Sequence, residues 1–274
     1  TDSSKEMRIS WNTEQYFFEI SLWIGETADN LRELKNTYEE PKTNHRFTIS
    51  DLKPNTTYYY KVQTDKKERS GQIHSFKTGF PLSEKKPVDF VVFGDLHANG
   101  RSRIEFKEIF ESAERNVPES QFYITLGDSI DDGLHGVDWA YFFECTNEFL
   151  HSKPLMNATG NHDTNSRERY ARYVSVWNHP FTDVKHAGNY VFYNANIAFI
   201  MLDSDNGGRI GTVFSDEQME WLEEQLQIAN EKDLWIFVCF HRQMYSTGDF
   251  SMEHVLHNFL RPILDEGHVD CIMY

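Results

Sequence analysis

In Gly94-Asp95-Leu96-His97, one residue separates a carboxylate from an imidazole. At a strand end, residues i and i+2 project to the same side, so Asp95 and His97 could reach one cation together. Those donors suit Zn, Fe or Mn better than Ca or Mg. Asp128 follows in Gly127-Asp128, and its two oxygens could bridge two cations at the ~3.5–4 Å spacing of two-metal centres. Gly160-Asn161-His162-Asp163 offers a neutral amide oxygen at Asn161 and a differently directed imidazole at His162. His241 closes the apolar run Trp235–Phe240, where an imidazole has no structural reason to sit. Taken singly, each cluster is better read as an exposed loop pair or a hydrogen-bonded core histidine. Taken together, four strand ends carry metal-competent residues, and ligand sites in α/β sheets collect at the carboxyl ends of strands.

The elements that must position these residues change character along the chain. Short runs at Phe17–Ile24, His45–Ile49, Thr57–Gln63 and Ile73–Thr78 alternate apolar and polar residues between turns, which predicts a small all-β module over residues 1–79. Within it, Leu52-Lys53-Pro54-Asn55-Thr56-Thr57-Tyr58 has the form of a tyrosine corner, and Trp11 is expected to anchor the core. Any small antiparallel sheet would also fit this pattern. Prolines and charges at Gly79–Pro87 mark a linker over residues 80–87. From residue 88 strands alternate with helices. Strands are expected at Asp89–Phe93, Phe122–Leu126, Leu155–Thr159, Ile197–Leu202, Trp235–Phe240 and Val269–Tyr274, and helices at Arg103–Asn116, Trp139–His151 and Asp216–Ala229. The last helix opens on a capping box, Ser215 with Gln218, and carries the stripe Met219, Leu222 and Leu226.

Composition narrows the partners. A net charge of -16 over 274 residues argues against nucleic acid or an anionic membrane as a ligand, both of which call for surplus Lys and Arg. No apolar stretch approaches the roughly 20 residues needed to span a bilayer. Cys145, Cys239 and Cys271 sit in apolar or helical patterns, so free thiols are expected instead of a disulfide framework.

The ordered set Asp-x-His, Gly-Asp, Gly-Asn-His-Asp and His over residues 88–274 resembles the calcineurin-like metallophosphoesterase superfamily. With an all-β module ahead of it, the layout is similar to purple acid phosphatases. The resemblance implies an immunoglobulin- or fibronectin III-like sandwich followed by a metallophosphatase domain of two packed mixed sheets flanked by helices. It also implies a small phosphate-ester substrate and two transition-metal ions (Fe, Zn or Mn). Asp95 and His97 would hold the first ion and Asn161 and His241 the second, with Asp128 between them. Attack by metal-held hydroxide on a phosphomonoester would follow, with His162, oriented by Asp131, assisting the leaving group.

Two departures qualify this picture. Purple acid phosphatases carry a tyrosine three residues after the bridging aspartate, and here that position is Asp131, as in the Gly-Asp-x-x-Asp-x-Gly of serine/threonine phosphatases. An Asp131–His162 pair and a colourless centre are therefore expected. The family's last element, Gly-His-x-His, would follow Val269–Tyr274, and the expectation is that it lies within about ten positions beyond Tyr274. The domain pairing also suggests secretion or a cell-surface location, with the cytoplasm left open. Two rivals stand: a phosphodiesterase acting on nucleotides, cyclic nucleotides or phospholipids, and a surface binding module that keeps the phosphatase domain as scaffold. Among other polar residues, Arg242 is expected to pair at the core edge, and Asn99 and Gly100 to belong to a plain loop. His254 and His257 are placed on a solvated helix face over Ser251–Leu264, and Asp203-Ser204-Asp205 is read as turn chemistry.

Overall fold

The computed structural model describes residues 1–63, 71–103, 106–178, 188–205, 214–245 and 256–274. An all-β sandwich module leads into an α/β domain. In the module, β1 (Met7–Thr27) and β2 (Asn30–Ile49) form a long hairpin, and β3 (Thr57–Val62) and β4 (His74–Lys77) complete a ladder in the order β2-β1-β3-β4. The expected strands Phe17–Ile24 and His45–Ile49 are only the core-facing portions of β1 and β2. Their polar remainders pair as well, since backbone hydrogen bonds do not require apolar side chains. Register slips between Asn12 and Phe17 and between Phe17 and Glu19 interrupt the hairpin and bend it. Ile20, Leu22, Phe47, Tyr58 and Phe76 share one core. The corner is formed: the Lys53 amide donates to the Tyr58 hydroxyl at 2.9 Å, and Asn55 turns the chain at φ 48°. Trp11 packs at the edge of that core, donates to the Gln63 carbonyl at 2.8 Å and stacks on Phe47.

In the second domain, β5 (Phe90–Phe93), β6 (Phe122–Thr125) and β7 (Leu155–Asn157) form a parallel sheet. A mixed sheet runs β11 (Cys271–Met273), β10 (Trp235–Cys239), β9 (Ile197–Met201), β8 (Tyr190–Asn194), with β8 antiparallel to β9. The expectation of two mixed sheets thus holds for one; the other is parallel throughout its described strands. The sheets face each other through aromatic rings, with Phe122 edge-on to both Phe192 and Phe199. Outside the parallel sheet lie α1 (Lys107–Asn116), α2 (Gly136–Leu150) and α4 (Arg167–Val176), which bury Phe110, Phe142 and Tyr173 against it. The mixed sheet is covered by α5 (Asp216–Glu231), capped by Ser215 and Gln218, and by α6 (Arg261–Glu266).

Three elements escape the sequence patterns. β8 is a short run in which two tyrosines and Asn194 dilute the apolar signal, and α4 is largely polar with only Tyr170 and Tyr173 buried. Within the helix expected over Ser251–Leu264, the described part begins as a wide π-turn, Leu256–Leu260, and becomes α-helical where Pro262 can occupy the first turn. Cys145, Cys239 and Cys271 are free thiols. The two domains are bonded together: the Tyr60 hydroxyl donates to the His151 carbonyl at 2.9 Å, the Phe80 amide to Asn194 Oδ1 at 2.9 Å, and the Arg46 guanidinium to the Val174 carbonyl.

Candidate metal centre

Four strands deliver polar residues to one end of the facing sheets. After β5 the chain does not continue as a strand. Asp95 and His97 adopt left-handed backbone, φ 48° and 45°, so the same-side argument for an extended pair does not describe them. They approach each other because the chain coils, which leaves His97 Nε2 3.6 Å from Asp95 Oδ1. That coil is fixed to the loop after β6: the His97 amide donates to the Asp128 carbonyl at 2.9 Å and the Ala98 amide to the Ser129 carbonyl at 3.1 Å. Gly127, at φ 90°, turns this second loop and leaves room for the His241 ring, whose atoms would lie 2.8 Å from any Cβ placed there.

Asp128 is 3% exposed and lies at the centre of the group. Its Oδ1 accepts the His162 amide at 2.8 Å, from the start of α3 (Asn161–Thr164). Its Oδ2 is 3.6 Å from His97 Nε2 and 3.3 Å from His241 Nε2. His241 Nε2 also lies 3.2 Å from Asn161 Oδ1. The structure thus brings Asp95, His97, Asp128, Asn161 and His241 together, although they span 147 positions of sequence (241 less 95, plus one).

His241 Nδ1 meets the Leu126 carbonyl at 2.9 Å. A carbonyl only accepts, so Nδ1 carries hydrogen and the Nε2 lone pair of a neutral ring is left facing Asp128 Oδ2 and Asn161 Oδ1. Three electron-rich atoms then converge, an arrangement that needs a proton or a cation among them. In the metal-free chain the proton fills that role. Burial works against charging His241, but its bond to Asp128 outweighs this and pushes the pKa up to about 9. Burial likewise opposes the Asp128 charge, yet His241 and the His162 amide hold its carboxyl below the ordinary value. Asp95, His97 and Asp128 form a second such convergence, with ligand atoms all within 4.8 Å of one another. The donor set therefore fits two cations sharing Asp128.

Asp131 lies beside this group, with Oδ1 3.9 Å from both His97 Nδ1 and His162 Nδ1. Its contact with His162 runs mainly through the main chain: His162 Nδ1 is 2.6 Å from the Asp131 carbonyl. The Asp131 carboxylate is engaged by Asn99 at 2.7 Å and by Arg101 at 2.9 Å. Asn99 is therefore part of the network and not a plain loop residue.

One support was given no role from the sequence. Asp163 is fully buried and accepts the Gly160 amide at 3.1 Å and the Ser129 and Ile130 amides at 3.4 Å, tying the β6 and β7 loops together. Burial and the neighbouring Asp128 charge push its carboxyl up to about 8 in the metal-free chain. Its place in Gly-Asn-His-Asp was the available signal. Asp203 accepts the Thr159 hydroxyl at 2.7 Å, and Arg242 pairs with Asp205, so Asp203-Ser204-Asp205 braces the floor of the site as well as turning the chain. His257 packs edge-on against Tyr245, and His254 lies outside the described residues.

Residues 88–274 match the family model for calcineurin-like phosphoesterases. The chain belongs to that family. Residues 1–78 match the amino-terminal domain of purple acid phosphatases. Among curated proteins this family member is similar to purple acid phosphatase 15 of Arabidopsis thaliana, with 25% identity over 260 residues, 82% of this chain and 48% of that protein. Purple acid phosphatase 22 of the same plant is 24% identical over 289 residues, 96% of this chain and 62% of that protein. The chain spans about half to two thirds of the length of such relatives. Among solved structures, the purple acid phosphatase PPD1 of yellow lupin (Lupinus luteus) seeds shares the fold at a TM-score of 0.80 and 17% identity, covering 98% of this chain and 56% of that one.

Proposed function

We propose that the protein is a two-cation phosphoesterase acting on phosphomonoesters, with a small phosphate ester as substrate. The observation that carries this reading is the position of Asp128, buried between His97 and His241 with one oxygen facing both imidazoles. Asp95 and His97 would hold one cation and Asn161 and His241 the other, with Asp128 shared. Fe, Zn and Mn suit these donors. Cations held there supply Lewis acidity toward a phosphoryl group and make hydroxide available near neutral pH.

The chain's own residues account for the remaining chemistry. His162 is held by the Asp131 carbonyl at Nδ1, which fixes Nδ1–H and leaves Nε2 to face the leaving group. Protonated, Nε2 donates to the departing alkoxide. Asp131 orients His162 through its carbonyl, while its carboxylate is held by Asn99 and Arg101. Because Asp131 stands where a tyrosinate would give colour, the reading includes a colourless centre. An exported location is part of the proposal and rests on the domain pairing. Among the described residues, no helix is long and apolar enough to cross a membrane.

Metal analysis of the purified protein, together with hydrolysis of phenyl phosphate and bis(p-nitrophenyl) phosphate, tests the reading. About two transition ions per chain and preference for the monoester are expected. A preference for the bis-ester would move the assignment to a phosphodiesterase. Absence of bound metal after exposure to Zn or Mn would leave a scaffold.

A further inference from the structure

Among the described residues, Arg101, Arg169 and Arg242 lie near the centre, and the last two are committed to protein partners. Arg169 bonds Asn165 and Asp132 through separate nitrogens, and Arg242 directs both Nε and Nη2 at Asp205. Arg101 differs. Only its Nη2 is engaged, 2.9 Å from Asp131 Oδ2 and 3.4 Å from Asp138 Oδ2. Among the described residues Nε and Nη1 have no partner, and the side chain is 48% exposed. Asp138 is fully buried and also accepts the Gly100 amide at 2.9 Å, which fixes the backbone that carries Arg101. Val137, 48% exposed, lies against Gly100, where its Cγ2 would be 2.8 Å from a Cβ. One nitrogen of the guanidinium is thus held by two carboxylates, while three N–H donors are without a partner among the described residues.

Its position indicates what those donors would meet. Asp131 separates Arg101 from His97 and His162, its Oδ1 lying 3.9 Å from each imidazole and its Oδ2 bonded to Arg101, so the guanidinium stands one side chain outside the donor set. His162 is the group that serves the leaving group under the phosphoesterase reading, on which this inference rests, and Asp131 joins it to Arg101. We propose that Arg101 is a specificity residue that recognises an anionic group on the alcohol portion of the substrate, so that the substrates are phosphate esters whose leaving group carries a carboxylate or a second phosphate. A guanidinium fixed at one nitrogen presents its remaining N–H donors at little entropic cost, and charge-assisted bonds from them are stronger than neutral ones. The surrounding aspartates repel anions, so attraction of an anionic group there depends on Arg101.

A matched pair of substrates isolates the contact: phenyl phosphate and 3-carboxyphenyl phosphate. For Arg101→Ala and Arg101→Gln, the ratio of kcat/KM between the carboxylated and plain substrates should fall about 10- to 100-fold, mostly through the KM of the carboxylated ester, beyond any loss that both esters share through Asp131. Arg101→Lys should keep part of the preference. A structural role alone would lower both substrates together with the melting temperature, and that result, or an unchanged ratio, overturns the proposal. Binding of 2-carboxyethylphosphonate and propylphosphonate to the metal-loaded protein decides the same point without turnover. Tighter binding of the carboxylated ligand that is lost in Arg101→Ala supports the assignment, and equal affinities refute it. Failure of the wild type to hydrolyse either ester would remove the phosphoesterase reading while leaving the binding result to judge Arg101.

Discussion

Gly160 bears no functional group, yet a methyl there should disable the centre. Its backbone is ordinary and extended, φ −122° and ψ 169°, so Gly160→Ala carries no conformational strain and its effect is purely steric. The new Cβ would lie 2.9 Å from Asp128 Cγ and closer still to Asp128 Oδ1 and the Asp128 main-chain nitrogen. Carbon atoms settle about 3.5–4.0 Å apart, so the Cγ contact alone requires the carboxylate to withdraw by roughly 0.6–1.1 Å, and the Asp128 main-chain nitrogen, nearer to the new Cβ, must shift as well. Withdrawal stretches its 2.8 Å bond from the His162 amide and removes Oδ2 from its position between His97 and His241. A displacement of about 1 Å costs about 100-fold in rate, and overpacking costs about 1–3 kcal/mol of stability.

The assay pairs Gly160→Ala with Gly94→Ala. Gly94 adjoins Asp95, and a Cβ there would meet nothing within 4 Å. Cation affinity, kcat/KM on phenyl phosphate and thermal midpoint are measured for both. The expected outcome is a large loss in activity and cation affinity for Gly160→Ala and a change below about 3-fold for Gly94→Ala. Equal behaviour of the two variants, or a Gly160→Ala protein with wild-type cation affinity, would show that the placement of Asp128 does not govern the centre.

Four further outcomes are expected. Dialysis against a chelator should abolish ester hydrolysis, and Zn or Mn should restore it; persistence of activity in metal-free protein counts against the donor assignment. His162→Gln should lower kcat by about 10²–10⁴-fold with KM nearly unchanged, as loss of a general acid requires. Tyr58→Phe leaves the Lys53 amide without its partner and should cost about 1–3 kcal/mol in denaturant unfolding, with the kinetic constants of the folded enzyme preserved. His74 and His151 meet across the domain boundary with ring centroids 3.9 Å apart and planes tilted by 34°; burial lowers the pKa of both, and the charge of His151 lowers that of His74 further. Groups whose folded pKa is depressed are neutral in both states above about pH 6.5 and resist protonation in the fold, so stability should decline as pH falls below about 6.5. In thermal melts across that range, His74→Gln should flatten the decline, and an unchanged slope would acquit the pair.

Much of this was legible from residue types. Apolar runs located six of the seven strands in the α/β domain, because a strand covered on both faces must be apolar along its length. The ends of those runs marked the polar clusters. Periodicity could not show where one residue would meet another. Asp131 was expected to pair with His162; its main-chain carbonyl makes the close contact, and carbonyl direction leaves no trace in composition. Asp138 and Arg101 were overlooked for a related reason. A buried carboxylate at the start of α2 is indistinguishable, in a single sequence, from a solvated residue favouring the helix dipole. The β1–β2 hairpin was underestimated because its outer residues are polar and only their pairing is strand-like.

The left-handed backbone at Asp95, His97 and Asp128 links fold to chemistry more closely than any one side-chain contact. Non-glycine residues in this region cost about 1–3 kcal/mol each and persist only where surrounding structure enforces them. Here the enforcement is visible. The His97 and Ala98 amides donate to the Asp128 and Ser129 carbonyls, the Asp131 amide donates back to the Ala98 carbonyl at 3.1 Å, and Asp163 gathers the amides of Ser129 and Ile130. Two loops that would each be strained alone are thereby laced into one unit, and their side chains are turned toward a common point before any cation arrives. Mutual repulsion among Asp95, Asp128 and Asp131 would otherwise drive these loops apart. The lacing therefore opposes electrostatic repulsion as well as dihedral strain, and a cation would relieve the first without touching the second. Strengthening of the fold on metal binding should accordingly be larger at low ionic strength, where the repulsion is least screened.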